Sequence, residues 1–173
     1  MSKRDYIDFQ DRCEALRFLI TFRTYGTWLH GEDRGSVDRR NYNRYGTPGM
    51  PANKRLAEEK IALRHAPVEL NAEQRSTVED AIREVCDERK YTLHAVNARS
   101  NHVHSVVTAP RKPEFVLNSF KSNATRKLRE SNLLNESIRP WARHGSTPHL
   151  WTEEDMEAAL DYVINEQGDE PFR

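Results

Sequence analysis

The sequence predicts an α+β fold in which helices cover one antiparallel sheet. Short apolar runs rich in β-branched and aromatic residues indicate strands, and apolar residues spaced three or four apart indicate helices. In chain order these segments form a strand, a helix, two strands, a helix, a strand and an added C-terminal helix. The first six follow the split βαβ, or ferredoxin-like, plan, which places two helices on one face of the sheet.

The length and composition of the chain agree with this plan. A chain of 173 residues is long enough for one domain with a hydrophobic core and too short for two, so we expect a single domain over 1–173. The 27 Lys and Arg residues balance the 27 Asp and Glu residues, although residues 111–149 are basic and the tail from 152 is acidic. The two cysteines form no Cys-x-x-Cys pattern, and neither a membrane-spanning run nor a signal-peptide core is recognisable. We therefore expect a cytoplasmic protein with no membrane partner.

The first predicted strand spans 17–25 and ends at Gly26. A long polar region from about 30 to 67 follows, in which turn residues predominate, and we interpret it as a loop insertion. Loops of this length in compact domains are usually functional. Arg39 and Arg40 lie among tyrosines there, which is typical of a surface that follows DNA phosphates and stacks bases. A polar insertion that only keeps the surface soluble is the alternative.

The first helix is predicted to begin after the N-cap residue Asn71 and to end near Lys90. The strand at 91–97 and the next strand are joined by a turn at 99–101, which predicts a β-hairpin. The apolar residues at helical spacing in this helix are Val78, Ile82 and Val85.

The second half of the chain contains two further predicted helices. One follows Pro113, and the other has Thr152 as its N-cap and extends to about Gln167. Between them, residues 139–146 form a predicted loop and residues 149–151 a predicted fourth strand. In the helix after Pro113, the predicted inward residues are Phe115, Val116, Phe120, Ala124 and Leu128, and the predicted outward cations are Lys121, Arg126, Lys127 and Arg129.

The most informative motif is His102-Val103-His104, which lies within an apolar run. Side chains alternate along a strand, so the two imidazoles are expected to project to one face while Val103 points into the core. Neutral imidazole is a common ligand of divalent metals, but two imidazoles leave a metal site incomplete. The alternative is a chance pair of histidines on a solvated face.

The last helix contains a tyrosine that could complete a reactive site. Tyr162 borders the apolar stripe of this helix, and Glu166 lies one turn later on the same flank. A tyrosine beside a metal-competent carboxylate, in a chain that also has a His pair, suggests a nucleophile that attacks a metal-bound phosphate. The alternative is a packing residue with its hydroxyl in water. The stripe consists of Met156, Ala159, Leu160 and Val163.

These residues resemble the HUH single-tyrosine transposases of small bacterial insertion sequences. The triplet at 102–104 resembles the His, bulky apolar, His motif of that family, and residues 162–167 (YVINEQ) resemble its tyrosine helix. Other blocks are similar to the REP-associated branch of the family, and the resemblance extends from about residue 17 to residue 168. These blocks are 22–31 (FRTYGTWLHG), 35–39 (GSVDR), 124–129 (ATRKLR) and 141–147 (WARHGST).

The resemblance implies a metal-dependent transposase that cleaves and rejoins single-stranded DNA. Tyr162 would attack a DNA phosphodiester and form a 5′-phosphotyrosine bond, and His102 and His104 would hold Mg²⁺ or Mn²⁺. Family members commonly place Gln or Asn about one turn after the tyrosine as the third ligand. In this chain, helix geometry favours Glu166 and side-chain type favours Gln167, so both stay open.

The resemblance also implies hairpin-forming DNA repeats as the substrate, bound by a monomer or a homodimer. Two other functions stay open: a nuclease in which metal-activated water attacks, and a module that binds hairpin nucleic acid without cleaving it. The expected DNA-binding residues are Arg39, Arg40, Lys121, Arg126, Lys127, Arg129 and Arg143.

Overall fold

The computed structural model describes residues 16–27 and 65–165. Most of the predicted loop at 30–67, the arginines 39 and 40, and the alternative third ligands Glu166 and Gln167 lie outside the described residues. The elements, in chain order, are β1 (Leu16–Thr24), α1 (Ala72–Arg89), β2 (Thr92–Ala98), β3 (His102–Ala109), α2 (Pro113–Glu130), β4 (Trp141–Ser146) and α3 (Glu153–Asn165).

The four strands form one sheet in the order β2-β3-β1-β4. Every neighbouring pair is antiparallel, and β1 and β3 occupy the centre. This order results from the split βαβ plan, because β3 inserts between β1 and β2. The predicted α+β, ferredoxin-like fold class is therefore confirmed.

The larger core lies between the sheet and the helices α1 and α2. Helix α1 begins with the predicted N-cap Asn71, whose side chain accepts a hydrogen bond from the backbone of Gln74 in a capping box. Helix α2 begins with Pro113, a residue suited to the first turn because its missing N–H would have no helical partner there. Side chains that are fully buried in this core include Phe18, Ile20, Phe22, Val78, Ile82, Val103, Val107, Val116, Phe120 and Leu128.

Helix α3 packs on the opposite face of the sheet. The residues of β1 and β3 that alternate with the larger core, including Leu19 and Val106, form a second core with α3. The predicted N-terminal cap of α3 is confirmed, because Thr152 Oγ1 accepts from the backbone N–H of Asp155, 3.0 Å away. The predicted stripe also packs inward, with Met156, Ala159 and Val163 buried and Leu160 partly buried. Over the described ranges, no helix has both the length and the apolar character needed to cross a membrane.

The fourth strand lies earlier in the chain than predicted. It spans Trp141–Ser146, where a loop was expected, whereas His149 makes only an isolated bridge with Phe18. The polar sequence of β4 concealed it, because its backbone pairing with β1 does not depend on side-chain polarity and none of its residues is fully buried.

One predicted core residue is exposed. Phe115 was expected to point inward, but 45% of its surface is accessible, and the guanidinium groups of Arg89 and Arg111 lie against its ring. It lies in the first turn of α2, and its neighbour Val116 enters the core instead.

Candidate functional site

The two histidines of β3 project to the face of the sheet that α3 covers. The centroids of the His102 and His104 rings are 4.6 Å apart. Val103 is fully buried in the core on the other face, as strand alternation predicts. His104 is 4% exposed and His102 is partly exposed, so the pair extends from the protein interior to the surface.

Helix α3 brings Tyr162 next to His104, one member of this pair. The ring centroids of Tyr162 and His104 are 5.1 Å apart, and the rings meet edge to face at 74°. Tyr162 is partly buried beside the second core. The structure thus brings together the three residues that the sequence singled out as catalytic.

Asn97 fixes the turn of α3 that contains Tyr162. It lies opposite His104 in the pairing of β2 with β3, and its Nδ2 donates to the carbonyl oxygen of Val163 at 2.9 Å. That carbonyl directly follows Tyr162 in the chain, so the hydrogen bond holds this turn of α3 against β2. Asn97 stands between Val96 and Ala98 in the predicted strand, and an amide at such a position was the signal that could have identified it from the sequence.

Each histidine has one ring nitrogen next to a side-chain oxygen. Thr21 Oγ1 lies 2.7 Å from His104 Nδ1, and Asn101 Oδ1 lies 2.5 Å from His102 Nδ1. An N–H at Nδ1 that donates to such an oxygen leaves the lone pair on Nε2, which is the arrangement found in metal-binding histidines. The pair therefore fits two ligands of a divalent metal. Thr21 was not identified from the sequence, because its role depends on cross-strand register.

The described residues do not supply a complete metal shell by themselves. No group of three His, Cys, Asp or Glu side chains that could hold a metal is present within 16–27 and 65–165. The two predicted third ligands, Glu166 and Gln167, directly follow the described part of α3.

Arg23 is a further cation on this side of the sheet. It lies directly opposite His102 in the pairing of β1 with β3, and side chains in such pairs share a face. The sequence analysis did not identify Arg23 as a site residue.

The outward placement predicted for Lys121 is wrong. Its side chain is 9% exposed, and its Nζ donates to the carbonyl oxygens of Ala142 and His144 at 2.8 Å each. Burial lowers the pKa of Lys121 from 10.5 to about 8. Lys121 thus connects α2 to β4 and does not form part of the outer surface.

The other predicted DNA-binding residues of α2 remain accessible but form local ion pairs. Arg126 pairs with Glu130 and Glu84, and Lys127 pairs with the same Glu84. Hydrogen bonds from Asn123 and then Lys127 lower the pKa of Glu84. Arg129 donates to the carbonyl oxygens of residues 136 and 138, which ties α2 to the segment before β4. Arg143, on β4, is exposed.

The solved structures that are similar to this chain include a REP-associated tyrosine transposase bound to a REP hairpin and a proposed transposase from Deinococcus radiodurans R1. The first shares 12% identity with a TM-score of 0.49, over 88% of this chain and 67% of the other. The second shares 16% identity with a TM-score of 0.43, over 89% of this chain and 92% of the other. No curated protein matches the sequence significantly.

A family model for IS200-like transposases matches residues 64–155. The matched segment includes both histidines and ends before Tyr162. It covers more than half of the 173 residues. The chain therefore belongs to the IS200-like transposase family.

Proposed function

We propose that the protein is a metal-dependent transposase that cleaves and rejoins single-stranded DNA through a 5′-phosphotyrosine intermediate. The observation that carries this proposal is the meeting of Tyr162 with the His pair on one face of the sheet. A phenol and two imidazoles from separate elements converge there, partly open to solvent. That combination suits nucleophilic attack on a phosphate held at the same place.

The proposed reaction exchanges one phosphoester for another. The Tyr162 hydroxyl loses its proton and its oxygen attacks the DNA phosphorus, while the bond from phosphorus to the 3′ oxygen breaks. The departing strand takes up a proton and ends in a 3′ hydroxyl. Attack of a 3′ hydroxyl on the phosphotyrosine reverses these steps and releases the tyrosine. The ester conserves the bond, so rejoining requires no external energy source.

His102 and His104, with Glu166 or Gln167, would hold Mg²⁺ or Mn²⁺. When bound, a divalent ion polarises the scissile phosphate and stabilises charge on the leaving oxygen. Thr21 and Asn101 orient the two rings for this role through their contacts with Nδ1. Arg23, opposite His102, adds a positive charge for the phosphate.

The proposed substrate is a hairpin-forming DNA repeat. The proposed location of the protein is the cytoplasm. Basic residues would position the backbone of the substrate and make binding dependent on salt, with those of α2 on the face of the sheet opposite the His pair. We omit Lys121 because its ammonium group is engaged with β4. The remaining DNA-binding set is Arg39, Arg40, Arg126, Lys127, Arg129 and Arg143.

The test is incubation with labelled single-stranded hairpin DNA and Mn²⁺ or Mg²⁺, followed by a denaturing protein gel. We expect a metal-dependent covalent adduct that is absent in Tyr162→Phe. Tyr91→Phe is the matched control, because it also loses one hydroxyl but lies just before β2, away from the His pair. Cleavage that survives in Tyr162→Phe would indicate the water-using nuclease. Hairpin binding with no cleavage by the parent protein would indicate the binding module.

A further inference from the structure

Two arginines and an exposed phenylalanine form a cluster at the end of the sheet away from the His pair. Phe115 lies in the first turn of α2, and 45% of its surface is accessible. The guanidinium carbons of Arg89 and Arg111 lie 5.1 and 5.6 Å from the centroid of its ring. Arg89 ends α1 and Arg111 follows β3, so the fold brings together residues from three places in the chain. We call these three residues the Arg–Phe cluster.

The two arginines of this cluster differ from Arg83 and Arg126, which are exposed on α1 and α2 and pair with carboxylates. Neither arginine of the cluster pairs with a carboxylate of another described residue, although Asp87, Glu88 and Glu114 are close in sequence. By contrast, Arg83 pairs with Glu79 and Asp80. A guanidinium held over an aromatic ring by a cation–π contact makes no conventional hydrogen bond to the ring, and its N–H donors match phosphate oxygens.

We propose that the Arg–Phe cluster binds the phosphate backbone of duplex DNA. Guanidinium groups already lie against the phenyl ring, so the cluster offers charge and hydrogen-bond donors instead of an open ring on which a base could stack. A duplex has its bases stacked inside and its phosphates outside, which fits such a surface. The exposed side chains of Lys90 and Lys112 border the cluster and add positive charge.

The cluster is separate from the proposed cleavage site. Strand β3 has eight residues, so at about 3.3 Å per residue its two ends lie roughly 25 Å apart. His102 is at one end, and Arg111 lies just beyond the other. This proposal rests on the proposed function for its choice of DNA as the partner, but it concerns a different surface.

The test is the salt dependence of binding to a blunt DNA duplex, measured by fluorescence anisotropy. The variant is Arg89→Gln combined with Arg111→Gln. The matched control is Arg75→Gln combined with Arg83→Gln, which removes the same total charge from two other arginines, both in α1. Loss of two phosphate contacts is expected to lower the slope of log affinity against log salt by about 1.8. If the plots for the parent protein and the cluster variant meet at 1 M salt, the affinity of the variant at 0.1 M salt is expected to be roughly 60-fold lower.

The outcomes separate this proposal from the proposed function. A cluster variant with the same slope as the control variant would overturn the proposal. Equal losses for duplex and single-stranded DNA would overturn the preference for duplex. Covalent adduct formation on a short unpaired oligonucleotide is expected to stay at the parental level in the cluster variant. A parent protein that binds duplex through the cluster but forms no adduct would refute only the proposed function.

Discussion

Thr21 offers the sharpest test of how the His pair is oriented. Its Oγ1 lies 2.7 Å from His104 Nδ1, and His104 is 4% exposed. The substitution Thr21→Val keeps the shape of the side chain but leaves this buried nitrogen without its oxygen partner. Loss of a buried hydrogen-bond partner costs about 1–3 kcal/mol. Loss of such a partner from a metal-binding histidine typically lowers metal affinity about 10- to 100-fold.

The assay is Mn²⁺ binding by isothermal titration calorimetry, together with adduct formation at limiting and excess Mn²⁺. We expect Thr21→Val to bind Mn²⁺ about 10- to 100-fold more weakly and to recover part of its adduct yield at excess Mn²⁺. Thr108→Val is the control, because Thr108 Oγ1 makes a similar contact, 2.8 Å from His94 Nε2, near the other end of β3. Parental Mn²⁺ affinity in Thr21→Val would refute the orienting role. Equal weakening in both variants would indicate a general effect on the sheet.

Three further predictions concern the surroundings of the site. Gly145→Ala would place a Cβ 2.6 Å from the backbone oxygen of Thr21, so we expect a loss of about 1–3 kcal/mol in the free energy of unfolding, and an unchanged urea midpoint would contradict this. Asn97→Leu removes the donor to the Val163 carbonyl, so we expect a larger relative loss in adduct yield than in melting temperature. Relative losses of similar size would argue against a positioning role. Folding lowers the pKa of Lys121 from 10.5 to about 8, so between pH 8 and pH 10.5 the unfolded state binds more protons than the folded state. The free energy of unfolding should therefore rise with pH across this range, by up to about 3 kcal/mol. Urea unfolding from pH 7 to 10 should show no such rise in Lys121→Met, and identical pH profiles for the two proteins would disprove the assignment.

The sequence predicted most of the fold because the central elements have strong local patterns. Strands β1 and β3 are rich in aromatic and β-branched apolar residues, and α1 begins with a clear cap at Asn71. The predictions were wrong where the local sequence pattern does not indicate strand pairing or burial. Strand β4 is polar, so only its pairing with β1 identifies it. Lys121 has the composition of an outward residue, but two carbonyl groups of β4 satisfy its ammonium group inside the protein.

For the site, the sequence by itself determined that His102 and His104 share one face of a strand, because the period of two is a property of any strand. The approach of Tyr162 to that face was decided only by tertiary structure. Apolar residues of α3 require a partner surface, and the second face of the sheet provides it at Leu19 and Val106. Cross-strand register then places Thr21 beside His104, a neighbour that no local pattern encodes because the two residues are far apart in the chain.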